Sequence, residues 1–260
     1  RQNVHESGAV EACGHKVSAI PSPDGKLTAR QIEEAWHAHW DDETREHMPQ
    51  PRMVYISQPT ELGTIYSRKE LQEISGVCRR RGLYLYMDGA RLGYGLCDED
   101  NDLDLPAIAS LCDAFYIGGT KVGALFGEAL VLRHEALKED FRYIAKQKGG
   151  RLAKGRLLGI QFLELFRDGL YFRLGAHANR LAVMLRDFCR SRGLALPFSS
   201  GTNQQFVTMP DSVLEELGRK YGFAYLRRED ETHSTVRFCT SWATREEDVW
   251  ELMADIARLC

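Results

Sequence analysis

Between residues 52 and 118 the chain repeats one pattern, an apolar run of strand length followed by a helix-like stretch. "RMVYIS" leads into "SRKELQEISGVCRRRG", then "LYLYMD", "DLPAIASLC" and "AFYIGG" follow. In the first helical stretch Ser67 offers an N-cap, Glu70 completes a capping box three residues on, and Gly82 marks the stop. This β–α–β rhythm predicts an open α/β sheet of mostly parallel strands. Ligands of such sheets sit beyond the carboxyl ends of the strands. The residues just after "YMD" and "YIGG" are therefore where chemistry is expected.

The flanks extend the pattern. "KVSAIPSPDGKLT" predicts a strand, a Pro/Asp/Gly turn and an N-cap at Thr28, followed by the helix "ARQIEEAWHAHW". "EALVLR" adds a strand. Residues 136–192 lose the rhythm and read as successive helices. Beyond them the strands "QQFVTMP", "AYLRRE" and "STVRFCTSW" mix with the helices "DSVLEELGRKYG" and "REEDVWELMADIARLC". The expected division is a large unit over 1–169 and a smaller α/β unit over 170–260.

Composition excludes several classes. The 260 residues carry a formal net charge of −3, with 43% hydrophobic and 27% charged residues, as in an ordinary soluble globular protein. No basic excess suggests nucleic acid, and the apolar runs fall far short of a membrane span. Seven dispersed cysteines form no CxxC pair, so neither a metal site nor a disulfide framework is indicated, and a reducing cytoplasm fits. The opening "RQNVHESGAV" has no initiator Met and no signal-peptide pattern. It runs directly into regular structure, as expected of a chain that begins inside a domain.

One lysine stands in "YIGGTKVGALFGE", with no carboxylate within six positions. A lysine beside a strand is ordinarily a solvated surface group. Here Gly118, Gly119 and Gly123 permit close backbone approach to a ligand. Desolvation of a lysine frees a neutral amine, which is what an imine-forming residue needs. Asp88 ends "LYLYMD" and precedes Gly89. Alone it reads equally as a cap or turn residue. Together with Lys121 at the end of a later strand, it fits a pyridoxal phosphate site, where an acid keeps the pyridine nitrogen protonated. Arg91 stands close enough in sequence to contact the cofactor or a carboxylate.

These motifs resemble the fold-type I pyridoxal phosphate enzymes, and within them the threonine aldolase / β-eliminating lyase family. The resemblance rests on "YMDGARL", "YIGGTKVGALFGEALVL", "YISQPTELGTIYS", "VHESGAVEACGHKV" and "VRFCTSWAT", and covers nearly the whole chain. It implies that Lys121 carries the cofactor, that Asp88 pairs with the ring nitrogen and that Arg91 lies beside the ring. It also implies that Arg237 binds the substrate carboxylate, a role suited to a bidentate guanidinium; a surface strand charge is the bland alternative. Gln58, Thr60 and Glu61 form a loop that either approaches the cofactor or is a plain turn. Related sequences carry Asn where Gln58 stands. Thr120 is a candidate phosphate donor. Lys146, Arg151 and Lys154 read as a phosphate-reaching cluster or as a solvated face.

Two departures stand out. The family normally begins some 80 residues earlier, with a Gly/Thr-rich loop that binds the cofactor phosphate at a helix N-terminus. Its ring-stacking histidine aligns at or near Arg1, and His5 is the nearby candidate. The implied reaction is retro-aldol cleavage of a β-hydroxy-α-amino acid, threonine giving glycine and acetaldehyde. The alternatives are a β-eliminating lyase or aminotransferase on the same cofactor, and a catalytically silent truncated homologue. The expected partners are a small amino-acid substrate and further copies of the chain, in a homodimer or homotetramer. Neither nucleic acid nor membrane is expected.

Overall fold

The structure, a computed structural model, describes residues 6–260. The strand expected from Lys16 does not form; residues 15–22 are irregular. Pro21 and Pro23 interrupt the run, and proline has no N–H to give to a strand ladder. The turn that follows is held by Asp24, whose carboxylate accepts the Ser22 hydroxyl at 2.9 Å and the Lys26 N–H at 3.0 Å. Helix α1 (Ala29–Trp40) then starts at Thr28 in a full capping box with Gln31.

Strand β1 (Met53–Ser57) leads to α2 (Arg68–Arg81), capped by Ser67 and Glu70 and ended by Gly82 in the left-handed conformation. Strand β2 (Tyr84–Asp88), the short helices α3 (Leu92–Leu96) and α4 (Leu105–Leu111), β3 (Ala114–Gly118) and β4 (Glu128–Leu132) complete the first sheet. Its order is β1-β2-β3-β4, with β1, β2 and β3 parallel and β4 antiparallel to β3. Alternation gives the sheet two characters. Val54, Ile56, Leu85, Met87, Phe115 and Ile117 are buried in the core with Leu71 and Ile74 of α2. On the other face Tyr55, Tyr86 and Tyr116 are half-buried, and Tyr55 stacks on Tyr86 with centroids 5.2 Å apart.

Helices α5 (Phe141–Gln147), α6 (Arg156–Phe166) and α7 (Leu170–Ser191) follow. Strand β5 (Gln204–Pro210), α8 (Asp211–Gly218), β6 (Ala224–Arg228), β7 (His233–Cys239) and α9 (Glu246–Leu259) end the chain. The second sheet has the order β5-β7-β6 and is antiparallel throughout. Its inner face (Val207, Met209, Val236 and Phe238) packs with Leu181, Leu185 and Ile256. Helix α7 joins the two cores: Tyr171 and Ala178 belong to the first, Leu181, Leu185 and Cys189 to the second. Among the described residues no helix is long and apolar enough to cross a membrane.

Candidate functional site

Two turns meet at the carboxyl ends of β2 and β3. Gly118 N–H donates to Gly89 C=O at 2.8 Å. The backbones are so close that a Cβ on Gly89 would stand 1.9 Å from the Tyr116 carbonyl oxygen, and one on Gly118 2.3 Å from that of Ala90. Glycine is required at both positions by space. Lys121 lies in the single helical turn Thr120–Val122 that follows β3, and it is half-buried. Its carbonyl accepts the hydroxyl of Tyr94 on α3. Burial pushes that phenol up to about 12.

Asp88 is 8% exposed and collects three donors. The Tyr55 hydroxyl donates to Oδ2 at 2.5 Å, the Tyr116 hydroxyl to Oδ1, and Ala90 N–H to Oδ1 at 2.9 Å. Strand register produces this: Tyr55 and Asp88 share a face of neighbouring strands, and Tyr116 flanks them from β3. Burial, with the Asp88 charge adding to it, holds the phenols of Tyr55, Tyr86 and Tyr116 above the ordinary tyrosine value. A carboxylate offers about four lone-pair positions. Among the described residues the three donors leave one position unfilled, on Oδ2.

Arg91 caps the start of α3 and pairs with Glu61 at 3.8 Å. Gln58 and Thr60 face inward instead. Gln58 is 1% exposed and grips the backbone of Tyr66 at both ends, its Nε2 donating to the carbonyl at 3.2 Å and its Oε1 accepting the N–H at 2.8 Å. The Thr60 hydroxyl bonds the Thr64 hydroxyl at 2.7 Å and accepts Leu62 N–H at 3.2 Å. Both side chains hydrogen-bond within the loop and brace it. Thr120 is exposed, with its hydroxyl 3.4 Å from the Gly127 carbonyl. Lys146 and Arg151 line a surface cleft with Arg142, Tyr143 and Gln147. His5 lies outside the described residues.

Arg237 stands on the face of the second sheet opposite its core. Its Nη1 donates to Gln204 Oε1 at 3.0 Å. Its Nε is buried with no acceptor among the described residues. A buried guanidinium donor left unmatched is costly, so this one fits an anionic ligand. Gln204, fully buried, also donates to the Thr60 carbonyl at 3.4 Å, which ties the second sheet to the loop bearing Glu61.

Sequence reasoning missed four residues here: Tyr55, Tyr116, Gln204 and Glu128. Glu128 lies seven positions past Lys121 in sequence, but the β3–β4 hairpin sets it opposite Gly118. Its Oε2 accepts Gly119 N–H at 2.6 Å. Loss of water around the carboxylate raises its pKa, against the pull of that N–H and of the Lys121 charge. The paired glutamines that open "QQFVTMP" were the one available signal for Gln204, since amides rarely enter a buried strand without a partner.

The described residues thus offer an amine, a carboxylate with one acceptor position unfilled among them, and a guanidinium whose Nε finds no acceptor among them. The pattern that defines the β-eliminating lyase family matches residues 3–212. A low specificity L-threonine aldolase from Pseudomonas sp. (strain NCIMB 10558) is 36% identical over 96% of this chain and 71% of its own length. Another, from Pseudomonas aeruginosa, is 34% identical with the same coverage. The solved structure of Leishmania major threonine aldolase superimposes with a TM-score of 0.95 at 44% identity, covering 99% of this chain and 74% of that one. An aspartate aminotransferase double mutant from Thermus thermophilus, 14% identical, shares the fold at a TM-score of 0.64. The architecture is that of fold-type I pyridoxal phosphate enzymes, and the chain belongs to the β-eliminating lyase family.

Proposed function

We propose that this chain is a pyridoxal phosphate-dependent carbon–carbon lyase that cleaves β-hydroxy-α-amino acids, converting threonine into glycine and acetaldehyde by retro-aldol chemistry. The observation that carries this reading is the meeting of the Asp88 and Lys121 turns through the Gly89–Gly118 contact. The residues fit the cofactor: the position on Asp88 Oδ2 that no described residue fills suits a ring N–H, and the glycine contact sets the Asp88 and Lys121 turns side by side. Bound pyridoxal phosphate supplies an electron sink for the pair released at Cα when the Cα–Cβ bond breaks. Lys121 would hold the cofactor through its amine. Asp88, fixed by Tyr55 and Tyr116, keeps the ring nitrogen protonated. Arg91, steadied by Glu61, borders the ring, and Thr120 donates to the phosphate. Arg237 takes the substrate carboxylate. His5 is the candidate for stacking on the ring.

The wider reading has separate support. The presence of two hydrophobic cores supports a division into a large unit over 1–169 and a smaller one over 170–260, with the start of α7 still packed in the first core through Tyr171 and Ala178. Exposed Leu125, Phe126, Leu157, Ile160 and Leu163 support assembly as a homodimer or homotetramer, since apolar patches of this kind mark interfaces. The seven free thiols suit a cytoplasmic location.

The direct experiment adds pyridoxal phosphate, reduces with borohydride and maps the labelled peptide, while threonine cleavage is followed by acetaldehyde release. Label at Lys121, lost in Lys121→Ala, together with acetaldehyde and glycine as products, is the expected result. Label at another lysine overturns the site. Ammonia and a keto acid as the products overturn the reaction.

A further inference from the structure

Arg237 is held from one side. Five N–H donors crowd a guanidinium, and the polar partner at Nη1 is the neutral Gln204 oxygen at 3.0 Å. No carboxylate pairs with Arg237 among the described residues, and Nε remains buried without an acceptor. The register explains why Gln204 is the neighbour. Phe206 lies opposite Arg237 and Gln204 opposite Cys239, so Gln204 is two residues along on the same face.

The amide cannot turn over. Its nitrogen donates to the Thr60 carbonyl at 3.4 Å, and a flipped amide would set an NH2 against the guanidinium and an oxygen against that carbonyl. Gln204 is also 0% exposed, so bulk water does not compete for either partner. A neutral acceptor orients a cation without cancelling its charge. A glutamate at the same place would form the ion pair and leave little of the charge for a ligand. The Thr60 tie extends the network to the loop bearing Glu61, which pairs with Arg91 at the start of α3.

We propose that Gln204 is a positioning residue for carboxylate recognition: it holds Nη1 of Arg237 with a neutral acceptor and so keeps the guanidinium charged for the substrate carboxylate. The inference rests on the reading of Arg237 as the carboxylate site.

The test uses the pyridoxal phosphate-loaded protein, titrated by absorbance with glycine and with 2-aminoethanol, an amine of similar size without a carboxylate. Gln204→Met should weaken glycine about tenfold, the low end for a hydrogen bond to a charged group, and leave 2-aminoethanol within about twofold. Gln204→Glu should weaken glycine further, because its carboxylate takes the guanidinium. That variant keeps an acceptor for Arg237 and carries the test if the Met variant does not fold. Arg237→Ala, run in parallel, should abolish the preference for glycine. Unchanged glycine affinity in both Gln204 variants, with the Arg237 variant impaired, overturns the role of Gln204 alone. Equal losses for both amines reduce Gln204 to a structural part and overturn it as well. Unchanged glycine affinity in Arg237→Ala overturns the Arg237 reading, and the inference with it.

Discussion

Adding one methyl group at Gly118 should disable the site, while the same methyl at Gly159 should do no harm. An ideal Cβ on Gly118 would lie 2.3 Å from the Ala90 carbonyl oxygen and 2.6 Å from both Ala90 C and Gly89 O. All three are backbone atoms of the turn that follows Asp88. Close carbon–oxygen contacts in proteins settle near ~3.3 Å. The strand end and the turn must then part by about 1 Å, and overpacking of this kind costs about 1–3 kcal/mol. With only backbone to yield, the upper part of that range applies. At Gly159, inside α6, a Cβ meets nothing within 4 Å. Alanine there should stabilise by about 0.5–1 kcal/mol through lower chain entropy in the unfolded state. For a chain of this size each kcal/mol moves the melting temperature by about 2–4 °C. Gly118→Ala should therefore melt about 5–10 °C lower, and Gly159→Ala about 1–4 °C higher. Because the turn carries Asp88 and the strand end leads to Lys121, the same displacement separates two groups that must act together. Misplacement by 1 Å costs about a hundredfold in turnover. Thermal unfolding and borohydride labelling of both variants supply the readings. A Gly118→Ala protein that melts with the parent and is labelled as fast would refute the argument from close contact.

Two further outcomes follow from the hydrogen bonds and burial. Tyr116→Phe removes one of the three donors on Asp88, and a hydrogen bond to a charged group contributes about 1.5–3 kcal/mol. Its urea midpoint should fall with an unchanged slope, and a midpoint equal to the parent's would show that the phenol adds nothing to stability. Asp98 is 8% exposed, and burial raises its pKa. The folded protein therefore holds that proton more tightly than the unfolded chain. The penalty for ionising Asp98 is absent below the unfolded carboxylate value of about 3.9 and grows as pH rises through the folded one. Asp98→Asn, which keeps an oxygen for the Asp100 N–H, should melt higher than the parent at pH 7 and lose that advantage in acid. An advantage independent of pH would place the cause elsewhere.

What the sequence by itself determined is what depends on neighbours in the chain. The capping boxes at Thr28 and Ser67 and the left-handed stop at Gly82 were readable because each closes within four residues. The order of strands and helices was readable from apolar periodicity. So was the placement of Asp88 and Lys121 at strand ends, since parallel sheets put their ligands there. The motifs around those two residues carry the resemblance to the β-eliminating lyase family. Proline overruled periodicity near Pro21, where an apolar run looked like a strand but lacked the donors to pair as one. Only the tertiary structure decided who surrounds the site. Tyr55 and Tyr116 are 33 and 28 residues from Asp88, and strand register turns their hydroxyls onto its two oxygens. Glu128 reaches Gly119 because a hairpin folds back, and Gln204 reaches Arg237 through the β5–β7 register and Thr60 because the second sheet packs beside the loop after β1. In sequence these residues look like ordinary strand positions. A side chain's chemistry is set by its own atoms, but its role is set by the partners that register and packing bring to it, and those of Asp88 and Gln204 lie tens of residues away.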